Sequence, residues 1–129
     1  MSVPSVLLVD DNDAVREVLR LYAERFGLTV VGEARDGREA VELATRLRPG
    51  AIVLDERMPE MSGLVALARL RRRVPTAAIV FYSSSAENSR DVALALGASA
   101  YFQKPESPRA VMQAVADLLD VATAPLTRS

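Results

Sequence analysis

The sequence predicts an α/β protein in which a five-stranded parallel sheet carries helices on both faces. Short apolar segments alternate with segments of helical periodicity along the chain, which indicates alternating strands and helices. The apolar segments are hydrophobic at consecutive positions, as strands buried on both faces are. The length of 129 residues fits one such domain. Because crossovers between parallel strands are right-handed, we expect the strand order 2-1-3-4-5.

Five segments predict the strands, since each is short, apolar and rich in β-branched residues. Polar residues, glycine or proline bound these segments and separate them from the neighbouring helices. The predicted strands are, in chain order, residues 5–9, 29–34, 51–54, 77–82 and 99–103.

Five helices are predicted between and after these strands, from the spacing of apolar residues and from helix end signals. They cover about residues 14–26, 36–47, 62–73, 86–96 and 107–121. Gly27 ends the first helix, and Asp36 with Glu39 forms a capping box for the second. Ser107 as N-cap and Pro108 at the first helical position begin the last helix.

Composition limits the chemistry that this chain can perform. Sixteen basic and seventeen acidic residues give a net charge of −1, so we expect no direct binding to nucleic acid or to a membrane surface. The four arginines within residues 69–73 lie at a predicted helix C-terminus, where the macrodipole favours cations; a nucleic-acid patch is the alternative. Cysteine and histidine are absent, which excludes disulfides, the usual zinc sites and imidazole catalysis.

The same features predict one cytoplasmic domain. No apolar segment is long enough to cross a membrane, and the N-terminus is too short and polar for a signal peptide. Residues 1–121 are expected to form the domain and residues 122–129 a C-terminal tail. Whether the chain is a stand-alone domain or part of a longer protein stays open.

Three carboxylates are predicted to meet at one edge of the sheet. Asp10 and Asp11 follow strand 1, and Asp55 follows strand 3. The carboxyl ends of these two strands flank the point where the strand order reverses, which is where ligands bind in such sheets. Converging carboxylates repel one another unless a cation joins them, and Mg²⁺ suits a site of oxygen ligands. Taken singly, each aspartate could instead belong to an acidic turn or a helix cap.

A hydroxyl group and an amine are predicted at the same edge. Strand 4 is followed by Ser83, Ser84 and Ser85, and strand 5 by Lys104, the only lysine in the sequence. Hydroxyl and ammonium groups beside carboxylates suit the oxygens of a phosphoryl group. Asp55 would then be the nucleophile and form an acyl phosphate. The alternatives are a solvated lysine and a serine run that serves as a loop and helix cap.

Three ordered motifs resemble the receiver domain of two-component response regulators. They are residues 9–12 (VDDN), 54–64 (LDERMPEMSGL) and 97–105 (GASAYFQKP). The resemblance covers about residues 5–121 and implies a flavodoxin-like fold. It also implies a signalling phosphoprotein rather than a metabolic enzyme, with phosphotransfer and dephosphorylation catalysed by the domain itself.

The resemblance assigns a role to several residues. It implies that Asp10 and Asp11 bind Mg²⁺ together with Asp55, which accepts the phosphoryl group, and with the backbone carbonyl of Arg57. Lys104 would contact the phosphoryl oxygens. The proline that follows it, Pro105, is the candidate for a cis peptide bond.

The resemblance further implies a switch and a set of partners. The switch hydroxyl falls best on Ser83, with Ser84 as the alternative, and Tyr101 occupies the aromatic position whose rotamer follows phosphorylation. The face formed by helix 4, strand 5 and helix 5 is expected to change and to support a homodimer. The partners implied are a sensor histidine kinase or phosphotransfer protein, and a downstream target or an effector domain in a longer chain.

Two other functions remain as alternatives. A Mg²⁺-dependent phosphohydrolase of the haloacid-dehalogenase kind would use Asp11-x-Asp13 as its opening motif, but it lacks a cap domain and leaves Asp55 unexplained. A docking module that works without phosphate is disfavoured because every type of residue that the site needs is present. A flavodoxin-type cofactor protein is disfavoured because the turn after strand 1 is acidic.

Overall fold

The computed structural model describes residues 4–84 and 89–121 and confirms the predicted α/β fold. Five parallel strands form one sheet of order β2-β1-β3-β4-β5. The strands are β1 (Ser5–Val9), β2 (Thr29–Ala34), β3 (Ala51–Leu54), β4 (Ala78–Ser83) and β5 (Ala100–Gln103). The helices are α1 (Asp13–Arg25), α2 (Gly37–Leu47), α3 (Gly63–Arg73), α4 (Arg90–Ala95) and α5 (Pro108–Leu118). The predicted start of helix 4 at residue 86 and the predicted tail lie outside the described residues.

Alternate residues of each strand face opposite sides of the sheet, which divides the core into two layers. Leu7 and Ile52 point to the layer shared with α2 and α3. Leu8 and Val53, one residue further along, point to the layer shared with α1 and α5. Both faces are therefore covered, which explains why the strands are apolar at consecutive positions.

Polar side chains cap α1, α2 and α5, and the caps of α2 and α5 are the predicted ones. Asn12 accepts hydrogen bonds from the first backbone N–H groups of α1. Asp36 accepts one from the N–H of Glu39 at 2.9 Å, and Ser107 accepts one from the N–H of Arg109, with Pro108 at the first position of α5. These bonds satisfy donors that a helix N-terminus would leave unpaired.

The start of β4 and the end of α5 differ from the prediction for local reasons. β4 begins at Ala78 rather than at residue 77, because the N–H of Ala77 donates to the carbonyl of Val74 in the turn after α3. α5 ends at Leu118 rather than at residue 121, because Asp120 takes a left-handed conformation with φ of 58°. Such a residue stops a helix, and glycine would have signalled it in the sequence.

The arginines at the end of α3 do not act as one group. The guanidinium of Arg71 donates to the carbonyls of Ala77 at 2.7 Å and Gly97 at 2.6 Å, so it ties α3 to the segments before β4 and β5. Burial lowers its pKa. Arg69, Arg72 and Arg73 are exposed. Arg71 therefore has a structural role at this helix C-terminus.

Within the described residues, none of the helices is long and apolar enough to cross a membrane.

Candidate functional site

The carboxylates of Asp10, Asp11 and Asp55 meet at the carboxyl ends of β1 and β3. One carboxylate oxygen from each lies within 4.8 Å of the others. Asp10 and Asp55 are buried, with 2% and 3% of their surfaces exposed, whereas Asp11 is exposed. The sheet brings them together because β1 and β3 pair in parallel and end side by side.

Backbone hydrogen bonds and Arg16 hold Asp10 in place. The Asp10 N–H donates to the carbonyl of Ala34 in β2 at 3.0 Å, and its Oδ1 accepts from the N–H of Asn12 at 2.9 Å. The guanidinium of Arg16, on α1, donates to the Asp10 carbonyl at 2.6 Å. Arg16 also pairs with Glu33 on β2, so the start of α1 is anchored to the sheet behind the site.

Hydrogen bonds to β1 and within the following loop hold Asp55 in place. Its N–H donates to the carbonyl of Val9 at 3.0 Å, and its Oδ1 accepts from the N–H of Glu56 at 2.8 Å. The N–H of Gly63, at the start of α3, donates to the Glu56 carbonyl at 2.8 Å. The loop packs so closely there that a Cβ on Gly63 would lie 2.2 Å from the Asp55 carbonyl oxygen.

Lys104 reaches both buried carboxylates from the end of β5. Its Nζ lies 2.9 Å from Oδ2 of Asp10 and 3.7 Å from Oδ1 of Asp55. The ammonium also lies 5.2 Å from the centre of the Tyr82 ring, which favours a cation at that place. The peptide bond between Lys104 and Pro105 is cis.

Ser83 is the last residue of β4 and is completely buried at the same edge. Its hydroxyl donates to Oε1 of Glu56 at 3.0 Å. The neighbouring Ser84 is exposed. Of the two serines that the sequence left open as switch hydroxyls, Ser83 is therefore the one inside the fold.

Tyr101 lies inside the protein on β5, next to β4. It is 7% exposed, and its ring stacks on Phe81 with the centroids 6.0 Å apart. Its hydroxyl is buried and has no hydrogen-bond partner among the described residues. The resemblance implies that the rotamer of this ring follows phosphorylation; here the ring is already buried while Ser83 contacts Glu56.

We expect Tyr101→Phe to raise the free energy of unfolding by about 1 kcal/mol, because a buried hydroxyl without a partner destabilises the fold. Urea unfolding of both proteins measures this difference. Tyr22→Phe is the control, since Tyr22 is only half-buried on α1, and it should change the free energy by less than about 0.5 kcal/mol. A loss of stability in Tyr101→Phe would show that its hydroxyl is satisfied.

Electrostatics make this pocket suited to a cation. Burial raises the pKa of the Asp55 carboxyl to about 6, and the carboxylate of Asp10 contributes to the rise. Lys104 and the backbone N–H of Glu56 act against it. Among residues 4–84 and 89–121, Lys104 supplies the ammonium that faces the buried carboxylates, and the donor set consists of oxygen atoms. A hard divalent cation fits such a set of carboxylates. The other expected ligand, the backbone carbonyl of Arg57, belongs to the loop two residues after Asp55.

Three residues of the site were missed by sequence reasoning. Glu56 bonds Ser83, Gly63 allows the close packing behind Asp55, and Tyr82 lies beneath Lys104. Glu56 and Gly63 do lie inside the motif of residues 54–64, but only the folded loop shows what they contact. Tyr82 reads as a core strand residue in the sequence.

A comparison with protein families settles what kind of domain carries this site. The model of the response regulator receiver domain matches residues 6–116. The chain belongs to this family. Receiver domains are signalling modules whose general role is to accept a phosphoryl group.

Similar proteins contain this receiver domain within longer chains. The chain is 39% identical over 116 residues to a protein-glutamate methylesterase/protein-glutamine glutaminase of Archaeoglobus fulgidus, covering 88% of this chain and 33% of that protein. It is 38% identical over 114 residues to the transcriptional regulatory protein SrrA of Staphylococcus aureus, covering 88% and 47%. The chain thus spans between a third and a half of the length of these relatives.

A solved structure shares the fold. The CheX–CheY–BeF3–Mg²⁺ complex of Borrelia burgdorferi contains a chain that matches with a TM-score of 0.83 and 25% identity. The match covers 89% of this chain and 88% of that one.

Proposed function

We propose that this receiver domain accepts a phosphoryl group on Asp55 from a phosphohistidine of a sensor histidine kinase or phosphotransfer protein. The charged groups that surround Asp55 carry the proposal. The ammonium of Lys104 lies 3.7 Å from the Asp55 carboxylate, and the carboxylates of Asp10 and Asp11 lie beside it. Among the described residues, this is the group of acidic side chains that could hold a metal ion. The general role of the family supports the same conclusion.

The residues around Asp55 account for the transfer step. An Asp55 carboxylate oxygen forms a bond to phosphorus while the bond from phosphorus to the donor's imidazole nitrogen breaks, and the imidazole keeps the electron pair and takes up a proton. The ammonium of Lys104 moves from the carboxylates to the oxygens of the phosphoryl group and offsets their negative charge. Ser83, buried at the end of β4, would donate its hydroxyl to one of them.

The cofactor that fits this pocket is Mg²⁺. The carboxylates of Asp10, Asp11 and Asp55 and the backbone carbonyl of Arg57 would hold it, and it would neutralise charge on the phosphoryl oxygens. Receiver domains generally bind Mg²⁺ at an acidic pocket. The similar chain of Borrelia burgdorferi was crystallised in a complex with BeF3 and Mg²⁺.

We expect millimolar Mg²⁺ to raise the melting temperature, because the ion binds the folded pocket and stabilises it by linkage. Asp11→Asn should stabilise the metal-free protein, since it removes charge repulsion, and should weaken the response to Mg²⁺. Asp117→Asn, on the exposed end of α5, is the control and should respond as the wild type does. A melting curve that Mg²⁺ leaves unchanged would contradict the metal site.

Binding of beryllofluoride tests the anion site directly. We expect wild-type protein with Mg²⁺ to bind it, and Lys104→Ala to bind it at least about tenfold more weakly, because a buried ion contact is lost. Arg109→Ala, which removes a cation lying over Phe26, should bind as the wild type does. Dissociation constants from NMR or fluorescence titration measure both effects. Equal affinities for wild type and Lys104→Ala would count against the proposal.

We propose that phosphorylation changes the face formed by α4, β5 and α5, which would serve a homodimer, a downstream protein or an effector domain in a longer chain. Strand pairing supports this choice of face, because Ser83 ends β4 at the site and β4 pairs directly with β5, which carries Tyr101. The relatives are named for methylesterase and transcriptional activities and are two to three times as long as this chain. Backbone amide shifts in residues 90–103 upon addition of beryllofluoride test it, and shifts confined to the aspartates would contradict it.

The haloacid-dehalogenase alternative does not fit this family or the position of Asp13. Asp13 begins α1, is exposed, and pairs with Arg16 and Arg35.

A further inference from the structure

Glu56 connects three separate parts of the fold through one carboxylate. Its Oε1 accepts a hydrogen bond from the Ser83 hydroxyl at 3.0 Å, and its Oε2 accepts one from the Ser89 hydroxyl at 2.9 Å. Ser83 ends β4, and Ser89 occupies the N-cap position of α4. The carboxylate next to the proposed phosphoacceptor therefore holds both the switch hydroxyl and the start of α4.

The hydrogen bond from Ser89 to Glu56 takes the place of a capping bond. Ser89 makes no side-chain capping bond to α4, although serine is among the preferred residues at that position. Its hydroxyl donates to Glu56 instead. The Ser83 bond is partly buried and has a charged acceptor, and bonds to charged groups are stronger than those between neutral groups.

Two hydrogen bonds hold the backbone of Glu56 beside the proposed phosphoacceptor. Its N–H donates to Oδ1 of Asp55 at 2.8 Å, and its carbonyl accepts from the N–H of Gly63 at 2.8 Å. The residue is thus fixed between Asp55 and the start of α3. A phosphoryl group on Asp55 would therefore form next to Glu56.

We propose that Glu56 is a positioning residue that competes with the phosphoryl group for the hydroxyl of Ser83 and couples that competition to α4. This inference rests on the proposed function of Asp55. A serine hydroxyl has one proton to donate, so Ser83 donates either to Glu56 or to a phosphoryl oxygen. A phosphoryl group adds about −1.5 to −2 charge beside the Glu56 carboxylate and repels it. Release of Ser83 then changes the contact that Glu56 makes with Ser89.

A double-mutant cycle on Glu56 and Ser83 measures this competition. The dissociation constant of beryllofluoride at saturating Mg²⁺ is determined for wild type, Ser83→Ala, Glu56→Ala and the double variant. We expect Ser83→Ala to weaken binding by about five- to tenfold more in the Glu56→Ala background than in wild type, because Ser83 no longer has to leave Glu56. The change in affinity that comes from removing the Glu56 charge is present with either residue at position 83, so it cancels in the cycle.

A second measurement separates competition from a structural role. Amide shifts of residues 89–95 in Glu56→Ala without the anion should move towards those of wild type with beryllofluoride. Glu56→Gln keeps a hydrogen-bond acceptor but loses the charge, so its amide shifts should lie between those of Glu56→Ala and wild type. This variant replaces Glu56→Ala in the experiment if the alanine variant unfolds. Glu106→Ala removes an exposed carboxylate at the same edge and should show no coupling to Ser83.

The outcomes distinguish this proposal from the proposed function. If wild type binds beryllofluoride and Ser83→Ala weakens that binding by the same factor with and without Glu56, the proposed role of Glu56 is wrong and the anion site stands. If no variant binds the anion, both proposals fail.

Discussion

Gly63→Ala should lower the free energy of unfolding by at least about 3 kcal/mol, because the added methyl group has no room and only backbone around it. The new Cβ would lie 2.2 Å from the carbonyl oxygen of Asp55 and 2.7 Å from the Cα of Glu56. No side chain there can rotate away. Either the start of α3 or the loop that carries Asp55 must move, so the variant should also bind Mg²⁺ more weakly.

Gly50→Ala is the matched control for that experiment. A Cβ at Gly50 meets its nearest neighbours, the Leu119 side chain and the Ser5 carbonyl, at 3.4 Å, which is an ordinary contact. We expect its free energy of unfolding to stay within about 1 kcal/mol of wild type. Urea unfolding measures both variants, and equal stabilities for the two would contradict the close packing behind Asp55.

Asp55→Asn should stabilise the metal-free protein by up to about 3 kcal/mol at pH 7, because the buried carboxylate destabilises the folded state when it is charged. The pKa of Asp55 is raised from 3.8 to about 6 by burial and by Asp10. Between these values the folded state binds more protons than the unfolded state. The wild type therefore gains stability as the pH falls from 7 towards 4, and loses it as the pH rises through 6.

The quantity to follow is the difference in the free energy of unfolding between Asp55→Asn and wild type. This difference should be largest at pH 7, shrink as the pH falls through 6 and vanish near pH 4. The contributions of the other titrating groups are the same in both proteins and cancel. Unfolding titrations at several pH values without Mg²⁺ provide it. A difference that is independent of pH would show that Asp55 is not a buried carboxylate with a raised pKa.

The sequence predicted the parts of the fold that depend on local pattern. β1, β2 and β3 have the expected bounds because each lies between sharp polar or glycine signals. The end of α5 was wrong because Asp120 adopts a conformation for which glycine is the usual signal. β5 begins at Ala100 rather than at residue 99. At residue 99 the side-chain hydroxyl of Ser99, and not a backbone carbonyl, accepts the hydrogen bond from the N–H of Ile79.

The site was predictable where strand order determines it. Asp10, Asp55 and Lys104 each follow a strand of one parallel sheet, so the topology alone brings them to one edge. The bond between Glu56 and Ser89 was not predictable, because the two are 33 residues apart and neither lies in a strand whose position the sheet order determines. The inward position of Tyr101 likewise depends on packing against Phe81, which the sequence pattern does not specify.

The most direct test of the central claim is the intact mass of wild type and Asp55→Asn after incubation with acetyl phosphate and Mg²⁺. Wild type should gain about 80 Da, the mass of one phosphoryl group, and Asp55→Asn should gain nothing while keeping its fold. Asp91→Asn, which alters an exposed carboxylate on α4, should gain the same mass as wild type. An undiminished gain in Asp55→Asn would show that another residue accepts the phosphoryl group.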